Sequence, residues 1–300
     1  MAILLEFRGE LAALGSALIW SIAAIVYTNL GQQFSPLILN FTKGWLALGM
    51  LILTLLPQIA LGHSLPLQAI TLLTLSGVMG IGLGDTAYFA ALNRIGPRRS
   101  LLIASLSPGL TALLSWQFLQ EALSLRAWLG IFLTLSGVLW VTLDRNQPED
   151  IPHLRYRRGI VMAILSALGQ AIGAVLSRAA LVNSTVDPLW STLLRLGGGT
   201  IVLLGLIIAQ QQAKDITQPL HPRRIFATIA VTAFFSTYVG IWFQQIAFKY
   251  TAAGIAQALN STSPLFILPL ALALGDQLSL RAILGAITAC SGVWLLFQNR

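Results

Sequence analysis

The feature that most constrains this chain is a succession of long apolar runs separated by short polar connections. They fall at 9–28, 36–56, 69–92, 100–119, 126–143, 159–180, 189–209, 226–247, 252–274 and 281–297. A helix that crosses a bilayer needs about 20 mostly apolar residues. Inside lipid only helices and closed barrels satisfy their own backbone hydrogen bonds. The runs are too long for barrel strands and lack period-two alternation, so the chain reads as an all-α membrane protein with ten transmembrane helices. Composition agrees: 56% of residues are hydrophobic and 9% charged, against about 25% charged in a soluble domain. Such a chain lacks the charge to cover a soluble surface. A single cysteine, Cys290, excludes a disulfide scaffold. Glu6, Arg8 and Glu10 interrupt the start of the first run and no small-residue cleavage site follows. The first helix is therefore expected to stay as an anchor, not to leave as a signal peptide.

The net charge of +8 sits mostly in connections, as at Arg98 and Arg99, at Arg155, Arg157 and Arg158, and at Arg223 and Arg224. Basic connections between apolar runs are topology signals, and no nucleic-acid partner is expected. With ten crossings, five cations lie on the side that holds both chain ends and eleven on the other. The positive-inside rule then places the ends outside.

The chain also repeats itself. Arg8-Gly9, Ala13 and Ser16-Ala17-Leu18 recur as Arg158-Gly159, Ala163 and Ser166-Ala167-Leu168, 150 residues later. Pro36 and Lys43 match Pro188 and Arg195 at offset 152, and Gly84, Ala91, Ser107 and Pro108 match Gly240, Ala247, Ser263 and Pro264 at offset 156. Leu123 to Ala127 recurs as Leu278 to Ala282. The chain thus divides into a five-helix repeat over 1–143, a linker over 144–158 and a second repeat over 159–300. Five is odd, so the second repeat enters the membrane from the opposite side. Two inverted five-helix repeats related by an in-plane axis are a hallmark of secondary transporters.

The ordered set Tyr88-Phe89-Ala90-Ala91-Leu92, Ser107-Pro108, Glu121-Ala122-Leu123-Ser124, Gly130 and Ser136-Gly137-Val138 carries a resemblance, as does its echo Ser263-Pro264, Asp276-Gln277-Leu278-Ser279, Gly285 and Ser291-Gly292-Val293. Over nearly its whole length the chain resembles the drug/metabolite transporter superfamily, EamA type. The family often has Glu after the fourth and ninth helices, where this chain has Glu121 and Asp276. It often has Arg in the second helix; here that residue is Lys43, while Arg195 stands in the seventh. The resemblance implies a secondary transporter of the cell (inner) membrane, alternating its access around a central cavity. A small metabolite or drug would be the substrate, with an amino acid or related solute among the candidates, and efflux the direction; a coupling proton is the separate expectation raised by Asp85. The resemblance also implies cytoplasmic chain ends, against the cation tally. Assembly as a monomer or as a homodimer stays open, and no cofactor or metal is expected.

Ionisable groups inside spans are costly and usually face a cavity or a partner. Lys43 lies about 10 Å into the second run and Asp85 about 12 Å from the end of the third, taking about 1.5 Å per residue. The second helix enters where the third exits, so the two reach similar depth from one face. Two readings stand: an ion pair, or an Asp85 that carries a proton. Arg195 mirrors Lys43, whereas the mirror position of Asp85 is Ile241. Arg195 is therefore a candidate anion ligand, or a partner of Asp187 near its own helix end. Arg178 and Lys249 lie close enough to helix ends to snorkel. Pro108 and Pro264 interrupt matching helices; such a pair points to a transporter site or to a packing kink. Gln257 and Asn260 precede Pro264 at helical spacing. Trp20, Gln170, Tyr88 and Gln244 complete the cavity candidates, with Gln170 aligned on Trp20 and Gln244 on Tyr88.

A membrane-embedded enzyme is the alternative. Against it, the chain has no GxxxxGK[ST] loop and no HExxH, and His63, His153 and His221 fall in connections. No catalytic residue is assigned.

Overall fold

A computed structural model of the protein describes residues 6–30, 33–62, 64–143, 153–220, 223–273 and 279–298. Among these, nine helical segments are long and apolar enough to cross a bilayer. The run at 252–274 supplies a further helix in two pieces, giving the ten expected. Span 1 is α1 (Arg8–Leu30) and span 2 is α2 (Pro36–Ala60). Span 3 joins α3 (Leu67–Gly77), a π-helical turn (Val78–Gly84) and the start of α4 (Asp85–Ala104). Span 4 takes the rest of α4 and α5 (Ser107–Leu119), and span 5 is α6 (Leu125–Leu143). Span 6 is α7 (His153–Leu181) and span 7 is α8 (Pro188–Ala209). Span 8 joins α9 (Arg223–Ala233), a second π-helical turn (Phe234–Val239) and α10 (Gly240–Tyr250). Span 9 is α11 (Ala253–Asn260) with α12 (Ser263–Ala273), and span 10 is α13 (Leu280–Phe297).

Large apolar side chains such as Leu53, Phe118, Phe132, Ile201 and Trp294 point outward, as a lipid-facing surface requires. Lipid tails are as apolar as leucine, so helices in a bilayer associate through close packing of small residues. The repeated motif supplies them. Ala13, Ser16 and Ala17 of α1 and Ala163, Ser166 and Ala167 of α7 are all fully or nearly fully buried. A Cβ on Gly9 would run into the Thr251 side chain, and one on Gly159 into Ile95. Spans 5 and 10 pack along each other in the same way. Gly137 there leaves no room between the backbones of Gly285 and Ala289, and Gly292 none beside Thr134. Across this one crossing Gly130 meets Gly292 and Gly137 meets Gly285, so each glycine packs against the sequence mate of the other.

The structure revises three readings of the sequence. The two prolines do not kink continuous helices. Each span breaks over two residues, Ser105-Leu106 and Ser261-Thr262, and Pro108 and Pro264 occupy the first turn of the helix that follows. That is where a missing N–H costs nothing. Spans 3 and 4 are joined by one non-helical residue, Gly96, at φ 74°, in the left-handed region that glycine tolerates. Span 3 packs closely on span 6, since Gly84 and Gly80 sit under Gly169 and Gly173 of α7. His153 is not in a connection but is the first residue of α7. Residues 144–152 of the linker, and Asp276, lie outside the described residues.

Candidate functional site

The two π-helical turns occupy matching places in the two halves, 156 residues apart. Each is closed by a hydrogen bond five residues back, Asp85 N–H to the Gly80 carbonyl and Gly240 N–H to that of Phe235. A π turn widens the helix and is frequent at functional sites. Here side chains from the opposite half reach into the turns. Gln170 Nε2 of α7 donates to the Gly80 carbonyl at 3.1 Å, and Trp20 Nε1 of α1 donates to that of Ser236 at 2.8 Å. Gln170 and Trp20 are sequence mates, so one contact is made twice with different chemistry. Gly240 makes room: a Cβ there would lie 2.7 Å from the indole nitrogen of Trp20.

Between these turns lies a cavity of about 410 Å³. Trp20, Lys43, Asp85, Gln170, Arg195, Gln244, Gln257 and Asn260 line it. Its walls take the end of α1 and the start of α2, so it lies toward the membrane face opposite Arg8 and Phe297. Tyr88, Pro108 and Pro264 do not line it. The prolines act one step removed, because the break ahead of Pro264 leaves Asn260 and Ser261 at a helix end against the cavity.

Of the two readings for Lys43 and Asp85, a direct ion pair is not made at contact distance. They share the cavity, but no nitrogen–oxygen pair between them comes within salt-bridge distance. The Asp85 carboxylate accepts instead from Gln170 Nε2 at 2.7 Å, and the Lys43 ammonium stands 5.4 Å from the centroid of the Tyr27 ring, in cation–π range. Arg195 is 3% exposed. Its Nη1 donates to Ser177 Oγ at 2.9 Å, its Nε has no partner, and its guanidinium carbon lies 5.9 Å from the Phe248 ring centroid. Arg195 does not pair with Asp187, whose carboxylate caps α8 by accepting from Leu189 N–H at 2.7 Å. Asn40, Ser236 and Thr237 also line the cavity and escaped the sequence reading. Asn40 had a signal, standing one turn before Lys43. Ser236 and Thr237 had none, because the π turn that exposes them leaves no mark in the sequence.

A second polar cluster lies near the face that carries Arg8 and Phe297. Arg178 and Lys249 do not simply snorkel. Arg178 Nε pairs with Glu121 Oε1 at 2.5 Å, and its Nη1 donates to the carbonyls of Phe248 and Lys249 at 2.8 Å. The other Glu121 oxygen accepts from Ala253 N–H at 3.1 Å, and Lys249 Nζ donates to the Val186 carbonyl at 2.6 Å. Among the described residues no three His, Cys, Asp or Glu side chains group as metal ligands.

The sequence profile of the EamA-like transporter family matches residues 7–143 and again 157–298. The uncharacterized transporter YyaM of Bacillus subtilis (strain 168) is 26% identical over 218 residues, which are 72% of this chain and 70% of that protein. One solved crystal structure superposes with a TM-score of 0.75 over 96% of this chain and 95% of that one, at 17% identity. That likeness is one of fold.

Proposed function

The chain belongs to the EamA-like transporter family, and from that premise we propose that it is a secondary carrier that exports a small metabolite across the cell (inner) membrane. The solute class is an amino acid or a related compound. The observation that carries the reading is the cavity, enclosed by both halves and lined by Lys43, Asp85 and Arg195. Intramembrane charges are rare and mark solute or ion pathways. The cavity lies toward one face, while the Glu121–Arg178 cluster ties spans 4, 6, 8 and 9 together near the other. That arrangement supports the reading, because alternating access calls for a site open toward one face and closed toward the other. Asp85 is the group we assign to a coupling proton, and the carrier works as a monomer or a homodimer.

The test compares metabolite release from cells that lack the protein, overproduce it, or overproduce Asp85→Asn. Overproduction is expected to raise the external level of a small set of solutes, and Asp85→Asn to abolish that rise at equal protein level. No reproducible difference across a broad panel would sink the carrier reading.

A further inference from the structure

The cavity is unbalanced in charge. Of its ionisable lining groups Lys43 and Arg195 are cationic and Asp85 anionic, and no ion pair joins them. Asp85 already accepts from Gln170. Arg195, almost fully buried, donates to the neutral Ser177 hydroxyl and keeps Nε without a partner. Lys43 makes no hydrogen bond or ion pair among the described residues and faces the Tyr27 ring. One further buried donor is unmet, Nδ2 of Asn260, beside one unmet acceptor, Oε1 of Gln257.

Unpartnered donors carrying positive charge in a low-dielectric site are unfavourable unless an anion meets them. From this geometry we infer that the solute is a small organic acid of net negative charge, whose carboxylate sits between Arg195 and Lys43. Its hydrogen-bonding body then reaches Asn260 and Gln257. A monoanion neutralises the cavity with Asp85 ionised. A simple zwitterionic amino acid leaves one positive charge unmet, so the inference narrows the proposed solute class to its acidic members. It rests on the carrier reading for what the cavity is for. Guanidinium suits this task because its planar fork can hold a carboxylate through two hydrogen bonds.

The test uses the full-length protein in detergent and its thermal unfolding against isosteric pairs that differ in charge: glutamate and glutamine, aspartate and asparagine, succinate and succinamide. Chloride salts hold ionic strength constant. At least one acid is expected to stabilise the protein with an apparent Kd tenfold or more below that of its amide. Lys43→Gln, which removes the less buried of the two cationic charges, is expected to weaken that acid about tenfold, and Arg195→Gln to do so wherever it folds. Equal stabilisation by acid and amide, no effect of any acid, or unchanged affinity in Lys43→Gln would each overturn the inference. The carrier reading fails separately. Export of a neutral or cationic solute leaves it intact and overturns only the charge assignment. Acid binding without movement in proteoliposomes does the reverse.

Discussion

Glu121 and Arg178 show what a single pair of side chains does at a seam between helices. The last carbonyls of a helix and the first N–H groups of the next are left over by the helical pattern. Arg178 takes the carbonyls of Phe248 and Lys249 that end α10, and Glu121 takes the Ala253 N–H that begins α11. Each charge therefore meets the helix terminus of opposite partial charge while pairing with the other. Their side chains are only 12% and 15% exposed, so removing one partner strands the other. Glu121→Ala is expected to cost about 1–3 kcal/mol, visible as a lowered midpoint of thermal unfolding. An unchanged midpoint would show the pair to be decoration. Sequence depth alone put Lys43 and Asp85 at one level, and they do share the cavity. Depth does not fix which way a side chain turns, and the amide that reaches Asp85 comes from Gln170, 85 residues away.

At the scale of the helix, bulk is permitted in some places and forbidden in others. Gly137→Val and Gly285→Val place side chains where spans 5 and 10 touch backbone to backbone. Each should destabilise by about 1–3 kcal/mol or more, the range for overpacking. Gly49→Ala and Gly205→Ala face open space inside helices, where alanine is favoured by up to about 1 kcal/mol, and both should be neutral or mildly stabilising in the same unfolding assay. The reverse ranking would refute the packing described for these crossings. The helices themselves were legible because bilayer thickness sets their length, and the small-residue face was legible because the motif repeats at 150 residues. The π-helical turns were not. A slip of one hydrogen-bond register needs no distinctive residue, as the unlike strings Val78–Gly84 and Phe234–Val239 show. The prolines announced a break, but only the fold could show that they follow it.

For the molecule as a whole, the count of crossings decides the topology. Span 9, made of α11 and α12, is the one that is not among the nine long apolar segments, and it alone separates ten crossings from nine. Reporters fused ahead of Arg8 and after Phe297 are expected on the same side of the membrane, with a reporter in the connection before Pro36 on the opposite side. Ends on opposite sides would remove span 9 as a crossing and with it the inverted pairing of the halves. The same fusions settle which side is cytoplasmic, where the cation tally and the family resemblance point in opposite directions.

The crossed contacts at the two π turns carry a consequence for energy. In a perfectly symmetric inverted pair, exchanging the shapes of the two halves would turn one facing of a carrier into the other, and the two would be equal in free energy. Trp20 and Gln170 remove that equality. The indole offers one donor and holds one carbonyl, whereas the amide donates to both Gly80 and Asp85. If the halves trade shapes, these two residues trade surroundings to which they are not equally suited. On the proposed alternating-access mechanism, the empty carrier is expected to prefer one resting side, with this difference between the halves contributing beside Asp85 against Ile241.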